Sequence, residues 1–308
     1  MLRLGTRGSR RALWQARHVR DLLPALPGAP EVEIVEISTS GDRIQHVALS
    51  QVGGRDFFTK DIEDALLEGR VDLAVHSYKD LATDDPDGLA VGAVLKRADP
   101  RDALVAPAGT TLDRLPAGSS VGTSSLRRKA FLAAARPDVD TRELRGNVPT
   151  RIGKLEAGEY DALLLASAGL DRLGMDGHIA QRIDPSVLTP APAQGAVAVQ
   201  IRAGDEDTGT WVRALSHGPT ERATRAERVL LNVLEGGCQV PVGALAVETE
   251  DVLRMQARVA SLDGTQALFV ESHGPSGDPD SLGQAMAEDL LRQGADEILA
   301  QIREATAG

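Results

Sequence analysis

The sequence has one cysteine, Cys238, among its 308 residues, and it has no long apolar run. A lone thiol cannot form an intramolecular disulfide and cannot build a metal site from several thiolates. No stretch approaches the roughly 20 consecutive apolar residues that a membrane-spanning helix needs. The first residues, MLRLGTRGS, lack the apolar core of a secretory signal. From these absences we expect a cytoplasmic protein without a bound metal or a membrane partner.

Positive charge is also in deficit, with 34 Lys and Arg against 45 Asp and Glu and a formal net charge of −11. This excess of acid argues against a general nucleic-acid-binding protein. Lysine is scarce, because only five of the 34 basic residues are Lys and 29 are Arg. Arginine binds carboxylates and phosphates through a planar, bidentate fork. Codon bias could produce the same excess of Arg. The positions of the arginines must therefore show whether they bind a ligand.

The cysteine lies within residues 234–243, LEGGCQVPVG, where two glycines precede it and a Val-Pro pair follows. Glycine permits unusual backbone angles and proline fixes one, so these neighbours favour an exposed, sharply shaped loop. A buried cysteine that packs as a small hydrophobic side chain is the commoner case. In this setting we favour the alternative, in which the Cys238 thiol is presented for covalent chemistry.

Two pairs of similar segments indicate duplicated α/β domains. Residues 3–12 and 120–130 each read as a short strand, a turn that contains Gly-Thr, and the start of a helix. Residues 67–77 and 155–167 each read as a helix that ends at glycine, followed by a buried strand that ends in serine. We therefore predict two similar α/β domains. The strand at residues 194–201 could return to complete the sheet of the first domain.

Residues 216–308 follow a different pattern, with a helix, the cysteine loop, two or three strands and a closing helix at residues 281–305. This order predicts a smaller C-terminal α+β domain. The predicted boundaries are residues 1–97 plus 194–215 for domain 1, 98–193 for domain 2 and 216–308 for domain 3.

Arginine and hydroxyl side chains recur at the turns where predicted strands end and helices begin. Open α/β sheets bind anions at such positions, through free backbone N–H groups and the positive end of the helix. A single surface arginine is more often solvated than functional, but six at such turns suggest a ligand with several carboxylates or phosphates. The residues are Arg7, Ser9, Thr123, Ser125, Arg127, Arg128, Arg145, Arg151 and Arg172.

Three ionisable side chains that could belong to a functional site follow the predicted buried strand at residues 72–75. They are His76, Lys79 and Asp80. Asp80 could pair with a neighbouring cation as a structural residue, or it could stabilise a cationic intermediate or transfer a proton. His76 could act as a general base, although a histidine that leaves a buried strand is more often structural.

Four motifs in order resemble the porphobilinogen deaminase (hydroxymethylbilane synthase) family. They are AVHSYKD at residues 74–80, VGTSSLRR at 121–128, LRGNV at 144–148 and LEGGCQVP at 234–241. The matching segments cover essentially the whole chain. The resemblance implies two domains of the type II periplasmic-binding-protein kind and a smaller C-terminal domain. It also implies a transferase that joins four porphobilinogen molecules head to tail, releases ammonia at each step and frees linear hydroxymethylbilane by hydrolysis.

The resemblance also implies roles for individual residues. Cys238 would carry a dipyrromethane cofactor through a thioether bond. Asp80 would be the catalytic residue, because loss of ammonia leaves an azafulvenium cation that a carboxylate can stabilise. Porphobilinogen carries an acetate and a propionate, so the growing chain needs a cationic cleft. The residues that match cofactor- or substrate-binding positions are Arg7, Ser9, Lys79, Thr123, Ser125, Arg127, Arg128, Arg145, Arg151 and Arg172.

Residues 50–60, SQVGGRDFFTK, match the mobile active-site loop of that family. Arg55 and Phe58 are the candidate functional residues of this segment, and Phe58 could cover a pyrrole ring. Some family members have Lys at the positions of Gln51 and Arg55 and Gly at that of Asp56. An ordinary surface loop with one buried Phe fits the pattern equally well.

A non-catalytic binding protein or sensor for a carboxylated small molecule is the alternative, because it would use the same two-domain cleft. An unmodified Cys238 and an Asp80 paired away from the cleft would favour it. A nicotinamide-dependent dehydrogenase fits less well, since no Gly-x-Gly-x-x-Gly motif follows the first strand. We expect a monomer whose partner is the small molecule porphobilinogen, with no nucleic acid and no membrane.

Overall fold

The structure is a computed structural model, and it describes residues 1–39, 59–234 and 240–307. The predicted functional residues Cys238, Arg55 and Phe58 lie outside the described residues. The strands are β1 (Leu2–Thr6), β2 (Val32–Glu36), β3 (Leu73–Ser77), β4 (Leu89–Val94), β5 (Asp102–Val105), β6 (Ser120–Gly122), β7 (Asp140–Arg142), β8 (Ala162–Ala166), β9 (Ile179–Arg182), β10 (Val197–Arg202), β11 (Val242–Thr249), β12 (Val252–Ala260) and β13 (Ala267–Pro275). The helices are α1 (Arg10–Leu22), α2 (Lys60–Leu67), α3 (Leu126–Ala135), α4 (Val148–Glu156), α5 (Ser167–Arg172), α6 (Glu206–Arg213), α7 (Gly218–Val233), α8 (Pro279–Arg292) and α9 (Ala295–Ala307).

The first sheet has the strand order β2-β1-β3-β10-β4. Strand β1 runs parallel to both β2 and β3, whereas β10 lies between β3 and β4 and runs antiparallel to both. Strand β3 is buried along almost its whole length because it lies in the middle of the sheet. The first sheet is therefore completed by a strand that follows the whole second sheet in the sequence.

The second sheet repeats this plan with the order β7-β6-β8-β5-β9. Strand β6 runs parallel to β7 and β8, and β5 is the antiparallel strand between β8 and β9. The chain thus crosses between the sheets twice, from β4 to β5 and from β9 to β10. The predicted fold class, α/β with two similar domains and a separate C-terminal domain, is confirmed, and the residue boundaries of the domains stay a prediction.

The third sheet is an antiparallel meander of β11, β12 and β13. Its core is formed with helices α7, α8 and α9 by buried side chains such as Leu230, Met255, Met286, Leu290 and Ile298. The predicted single closing helix at residues 281–305 is wrong, because the chain forms two helices there. The break falls at Gly294, whose φ of 96° leaves the right-handed helical region.

Within the described part of the chain, we find no helix that combines the length and the apolarity needed to cross a membrane.

Candidate active site

The two α/β sheets bring their turns together at a cleft between them. Four sections of chain line it: the start of α1, the end of β3 with the turn after it, the segment from the end of β8 through α5, and the end of the second crossing. We call this pocket the interdomain cleft, and its lining residues are Arg11, Ser77, Lys79, Ala166, Ala168, Gly169, Arg172, Gln194, Gly195 and Ala196.

Asp80 lies at the edge of this cleft. A short 3-10 turn, Tyr78–Asp80, follows β3 and places the carboxylate beyond the carboxyl end of the strand. Arg11 Nη2 donates a hydrogen bond to Asp80 Oδ2 at 3.2 Å, and each side chain keeps 34% of its surface exposed. The cation that pairs with Asp80 is therefore itself a residue of the cleft.

Arg11 is a residue that the sequence analysis missed. It stands two positions after Ser9, the N-cap of α1, as Arg127 stands two positions after Ser125, the N-cap of α3. The similarity of the two strand-turn-helix segments was visible in the sequence. An alignment of their N-caps is the signal that could have found Arg11.

Lys79 lies inside the cleft and donates a hydrogen bond from Nζ to Gln194 Oε1 at 3.1 Å. Burial lowers the pKa of Lys79 to about 7. The Asp80 carboxylate opposes this shift, and the nearby Arg128 and Arg11 guanidinium groups add to it. Near neutral pH this amine can therefore change its charge within the cleft.

Arg127 and Arg128 lie behind the cleft, on a buried carboxylate that sequence reasoning did not identify. Arg127 Nη1 donates to Asp102 Oδ2 at 2.8 Å, and Arg128 Nη2 donates to Asp102 Oδ1 at 2.8 Å. Although burial by itself would raise the pKa of Asp102, the two guanidinium groups hold it well below its usual range. Gln194 Nε2 also donates to Asp102 Oδ1, at 2.9 Å, and so connects this buried cluster to Lys79.

Arg172 and Arg151 are two further arginines whose pKa is lowered by their surroundings. Arg172 Nη2 donates to the Gly195 carbonyl at 2.7 Å, and its guanidinium lies 5.5 Å from the centre of the Trp14 ring. Burial lowers the pKa of Arg172 to about 10, and Arg11 adds to this shift. Burial also lowers the pKa of Arg151 to about 10, with further contributions from Arg128 and Arg11. Both arginines remain cations at neutral pH.

Arg145 has a buried hydrogen-bond donor without a partner among the described residues. Its Nε lies 3.2 Å from Glu143 Oε1, whereas its Nη2 is buried and has no hydrogen-bond partner among the described residues. Arg127 Nε is in the same condition. Buried donors without partners are rare in folded proteins, and here they fit the binding of an acceptor that is not part of the chain.

The predicted hydroxyl residues hold the turns in shape. Ser9 Oγ accepts a hydrogen bond from the Ala12 backbone N–H at 3.3 Å and caps α1. Ser125 Oγ accepts from the Arg128 N–H at 3.4 Å and caps α3, and the buried Thr123 Oγ1 accepts from the Ser125 N–H at 3.3 Å. Their predicted contacts with a cofactor stay predictions.

Arg7 follows β1, and its charge acts on His76. Burial lowers the pKa of His76 to about 4, against the effect of Asp80, and Arg7 adds to the lowering. Only 5% of His76 is exposed. A neutral, buried imidazole favours the structural interpretation of this residue over that of a general base.

Taken together, the site is a cationic cleft between two α/β domains, with one partly exposed carboxylate at its edge. These features define a class of proteins that bind small anionic molecules between two lobes.

Comparisons with known proteins give the family. Residues 2–210 match the model described as "Porphobilinogen deaminase, dipyromethane cofactor binding domain", and residues 222–292 match "Porphobilinogen deaminase, C-terminal domain". The porphobilinogen deaminase of Moorella thermoacetica is 48% identical over 303 residues, which are 98% of this chain and 96% of that protein. That of Desulforudis audaxviator is 49% identical over 302 residues, 97% of each. The chain belongs to the porphobilinogen deaminase family, and the resemblance read from the four motifs is confirmed.

Solved structures of binding proteins show a more distant likeness. The methionine-binding protein MetQ is 12% identical with a TM-score of 0.42, and the match covers 77% of this chain and 96% of that one. The aliphatic sulphonate-binding protein SsuA from Escherichia coli is 17% identical with a TM-score of 0.39, over 75% of this chain and 69% of that one. At these low scores, the strand order of the two sheets remains the basis for the fold class.

Proposed function

We propose that the protein is a hydroxymethylbilane synthase. It condenses four porphobilinogen molecules head to tail onto an enzyme-bound dipyrromethane primer, releases ammonia at each step and then frees linear hydroxymethylbilane by hydrolysis. One observation carries the assignment beyond the family: the partly exposed Asp80 carboxylate lies beside Lys79 and Arg11 at a cationic cleft. The family does not favour the alternative of a non-catalytic binding protein.

The side chains around the cleft fit a dipyrromethane that carries carboxylates. Arg172 lines the cleft from the end of α5. Arg145, in the segment between β7 and α4, and Arg127 each have a buried nitrogen that can donate to a carboxylate. Bound there, the cofactor would supply the pyrrole carbon to which the first substrate is joined. The proposed ligand-binding residues are Arg7, Ser9, Lys79, Thr123, Ser125, Arg127, Arg128, Arg145, Arg151 and Arg172.

The contacts of helix α7 support Cys238 as the attachment residue. The segment that contains Cys238 follows the end of α7, and this end packs on the chain directly after Asp80. Arg228 Nη1 donates to the Leu81 carbonyl at 3.3 Å, and Thr83 Oγ1 donates to Asn232 Oδ1 at 3.1 Å. The end of α7, a few residues before Cys238 in the sequence, therefore lies against the segment that follows the proposed catalytic carboxylate.

Asp80 and the cleft cations have different roles in the proposed reaction. When porphobilinogen loses ammonia, the substrate becomes a cation, and a fixed carboxylate at the reaction centre stabilises it without solvent reorganisation. The same carboxylate can accept the α-proton that the attacking pyrrole loses after the new carbon–carbon bond has formed. The arginines bind the acetate and propionate groups, which brings the two reacting pyrroles together and lowers the entropic cost of their union.

We also propose that the protein works as a cytoplasmic monomer on porphobilinogen alone, without nucleic acid or a membrane. The net charge of −11 supports the exclusion of nucleic acid. The cationic side chains described above are gathered at the cleft, where they suit a small anion.

Intact-mass measurement and a turnover assay test this function. The purified protein should carry the extra mass of a dipyrromethane, and Cys238→Ser should lose both that mass and activity. Asp80→Asn should keep the extra mass but consume porphobilinogen at least about 100-fold more slowly, because it lacks the stabilising charge. A protein with the bare polypeptide mass that consumes no porphobilinogen would contradict the proposal, as would an Asp80→Asn variant with normal kcat.

A further inference from the structure

Arg11 is the cation that connects the parts of the interdomain cleft. It lies in the first turn of α1, lines the cleft and donates to Asp80 Oδ2 at 3.2 Å. Its charge also acts on three other cations of the cleft, because it contributes to the lowered pKa of Lys79, Arg151 and Arg172. The four sequence motifs assign no role to this residue.

Without Asp80, the position of the Arg11 guanidinium would be electrostatically unfavourable. The first turn of α1 contains no acidic residue, and a cation near a helix N-terminus is repelled by the helix dipole. Lys79 and Arg172 line the same cleft and repel Arg11 further. The carboxylate of Asp80 is therefore the group that holds Arg11 in this orientation, and in turn Arg11 restricts the orientation of the carboxylate.

The pairing leaves one oxygen of Asp80 available. Arg11 binds Oδ2, while Oδ1 has no hydrogen-bond partner among the described residues. A carboxylate held through one oxygen presents the other in a fixed direction, and this preorganisation is what makes a charge effective in a transition state.

We propose that Arg11 is a positioning residue for this reaction, which orients the Asp80 carboxylate so that Oδ1 faces the reacting pyrrole. This inference depends on the proposed function, since it assigns Arg11 a part in the same condensation. Arg11 acts through Asp80 and not by holding a carboxylate of porphobilinogen. The two roles differ in their kinetics, because orientation of a catalytic group affects kcat, whereas substrate binding affects KM.

The test compares Arg11→Gln, Arg11→Lys and the control Arg10→Gln in cofactor-loaded enzyme, with loading verified by intact mass. Arg10 is the exposed neighbour of Arg11 in the same helical turn, so its replacement changes the net charge equally. We expect Arg11→Gln to lower kcat about tenfold with KM changed by less than about twofold. Arg11→Lys should recover part of kcat, and Arg10→Gln should match the parent enzyme.

A double-mutant cycle decides whether Arg11 acts through Asp80. In the Asp80→Asn background, Arg11→Gln should cause no further loss of the residual rate, because the group that it orients has gone. An equal loss in both backgrounds would overturn the inference, as would a raised KM with unchanged kcat or an Arg11→Gln variant with parental kinetics. If instead the parent enzyme makes no hydroxymethylbilane, the proposed function fails, and that result is distinct from all of these.

Discussion

At the scale of single residues, Asp102 binds the two arginines behind the cleft, and Lys79 lies within the cleft. Asp80 and Lys79 follow a recognisable buried strand, so their place at the cleft could be predicted. Asp102 could not, because it precedes its partners Arg127 and Arg128 by 25 and 26 residues and is one acidic residue of many. The ion pairs of Asp102 with Arg127 and Arg128 form only when β5 and α3 pack together.

Lys79 gives a pH prediction at this scale. Its pKa is about 7 in the folded protein against 10.5 for an ordinary lysine, so folding disfavours the protonated form. This penalty is complete below pH 7 and is lost as the pH rises from 7 towards 10.5. In the cofactor-free Cys238→Ser background, Lys79→Met should therefore increase the free energy of unfolding by on the order of 1–3 kcal/mol at pH 6. The gain should shrink towards pH 9.

Urea unfolding at several pH values measures this difference. Lys60→Met is the matched control, since Lys60 is exposed and its replacement should give the same difference at every pH. If the difference in the free energy of unfolding between Lys79→Met and its parent does not vary with pH, burial does not destabilise the protonated form of Lys79.

At the scale of elements, the central strands were predictable and the end of a helix was not. Strands β3 and β8 are apolar and buried, as their sequences indicate. The apolar spacing that predicts one closing helix continues from Leu290 to Ile298, across the break at Gly294. Side-chain periodicity does not report a single residue that adopts a left-handed backbone, and a glycine is also tolerated inside a helix.

Gly294 gives a prediction for this element. Its φ is 96°, and no atom lies within 4 Å of an added Cβ, so only the backbone opposes a larger residue. We expect Gly294→Ala to lower the free energy of unfolding by about 1 kcal/mol. Gly153, inside α4 with equal space around it and no positive φ, is the control. Gly153→Ala should raise the free energy of unfolding by about 0.5–1 kcal/mol. Urea unfolding measures both variants. If the two substitutions change the free energy of unfolding in the same direction, the backbone conformation of Gly294 does not explain the effect.

At the scale of the whole molecule, one carboxylate joins all three sheets. Glu227 lies on α7 and is fully buried. Its oxygens accept hydrogen bonds from Arg97 Nη1 at 2.6 Å, from the Ala193 N–H at 2.6 Å and from the Ala246 N–H at 2.7 Å. Arg97 belongs to the first crossing between the α/β sheets, Ala193 to the second, and Ala246 to β11. The sequence does not predict this junction, because its members are far apart in the chain and are not part of the recognised motifs.

The junction predicts a large and specific loss of stability. Glu227→Gln keeps the shape of the side chain but leaves the guanidinium of Arg97, which is 11% exposed, without its counter-charge. Removal of one partner from a buried ion pair typically costs about 3–5 kcal/mol, and we expect Glu227→Gln to lower the free energy of unfolding by this amount. Both crossings should also become more sensitive to limited proteolysis, because they lose their common attachment to α7.

An exposed ion pair provides the comparison. Glu206 pairs with Arg213 at 2.6 Å, but 76% of its side chain is exposed, so Glu206→Gln should cost less than about 1 kcal/mol. In a double variant, Arg97→Met with Glu227→Leu, the uncompensated charge is absent, and part of the stability should return even though the hydrogen bonds to Ala193 and Ala246 are lost. If Glu227→Gln costs no more than Glu206→Gln, the junction does not hold the three sheets together, and the crossings must be fixed by apolar packing alone.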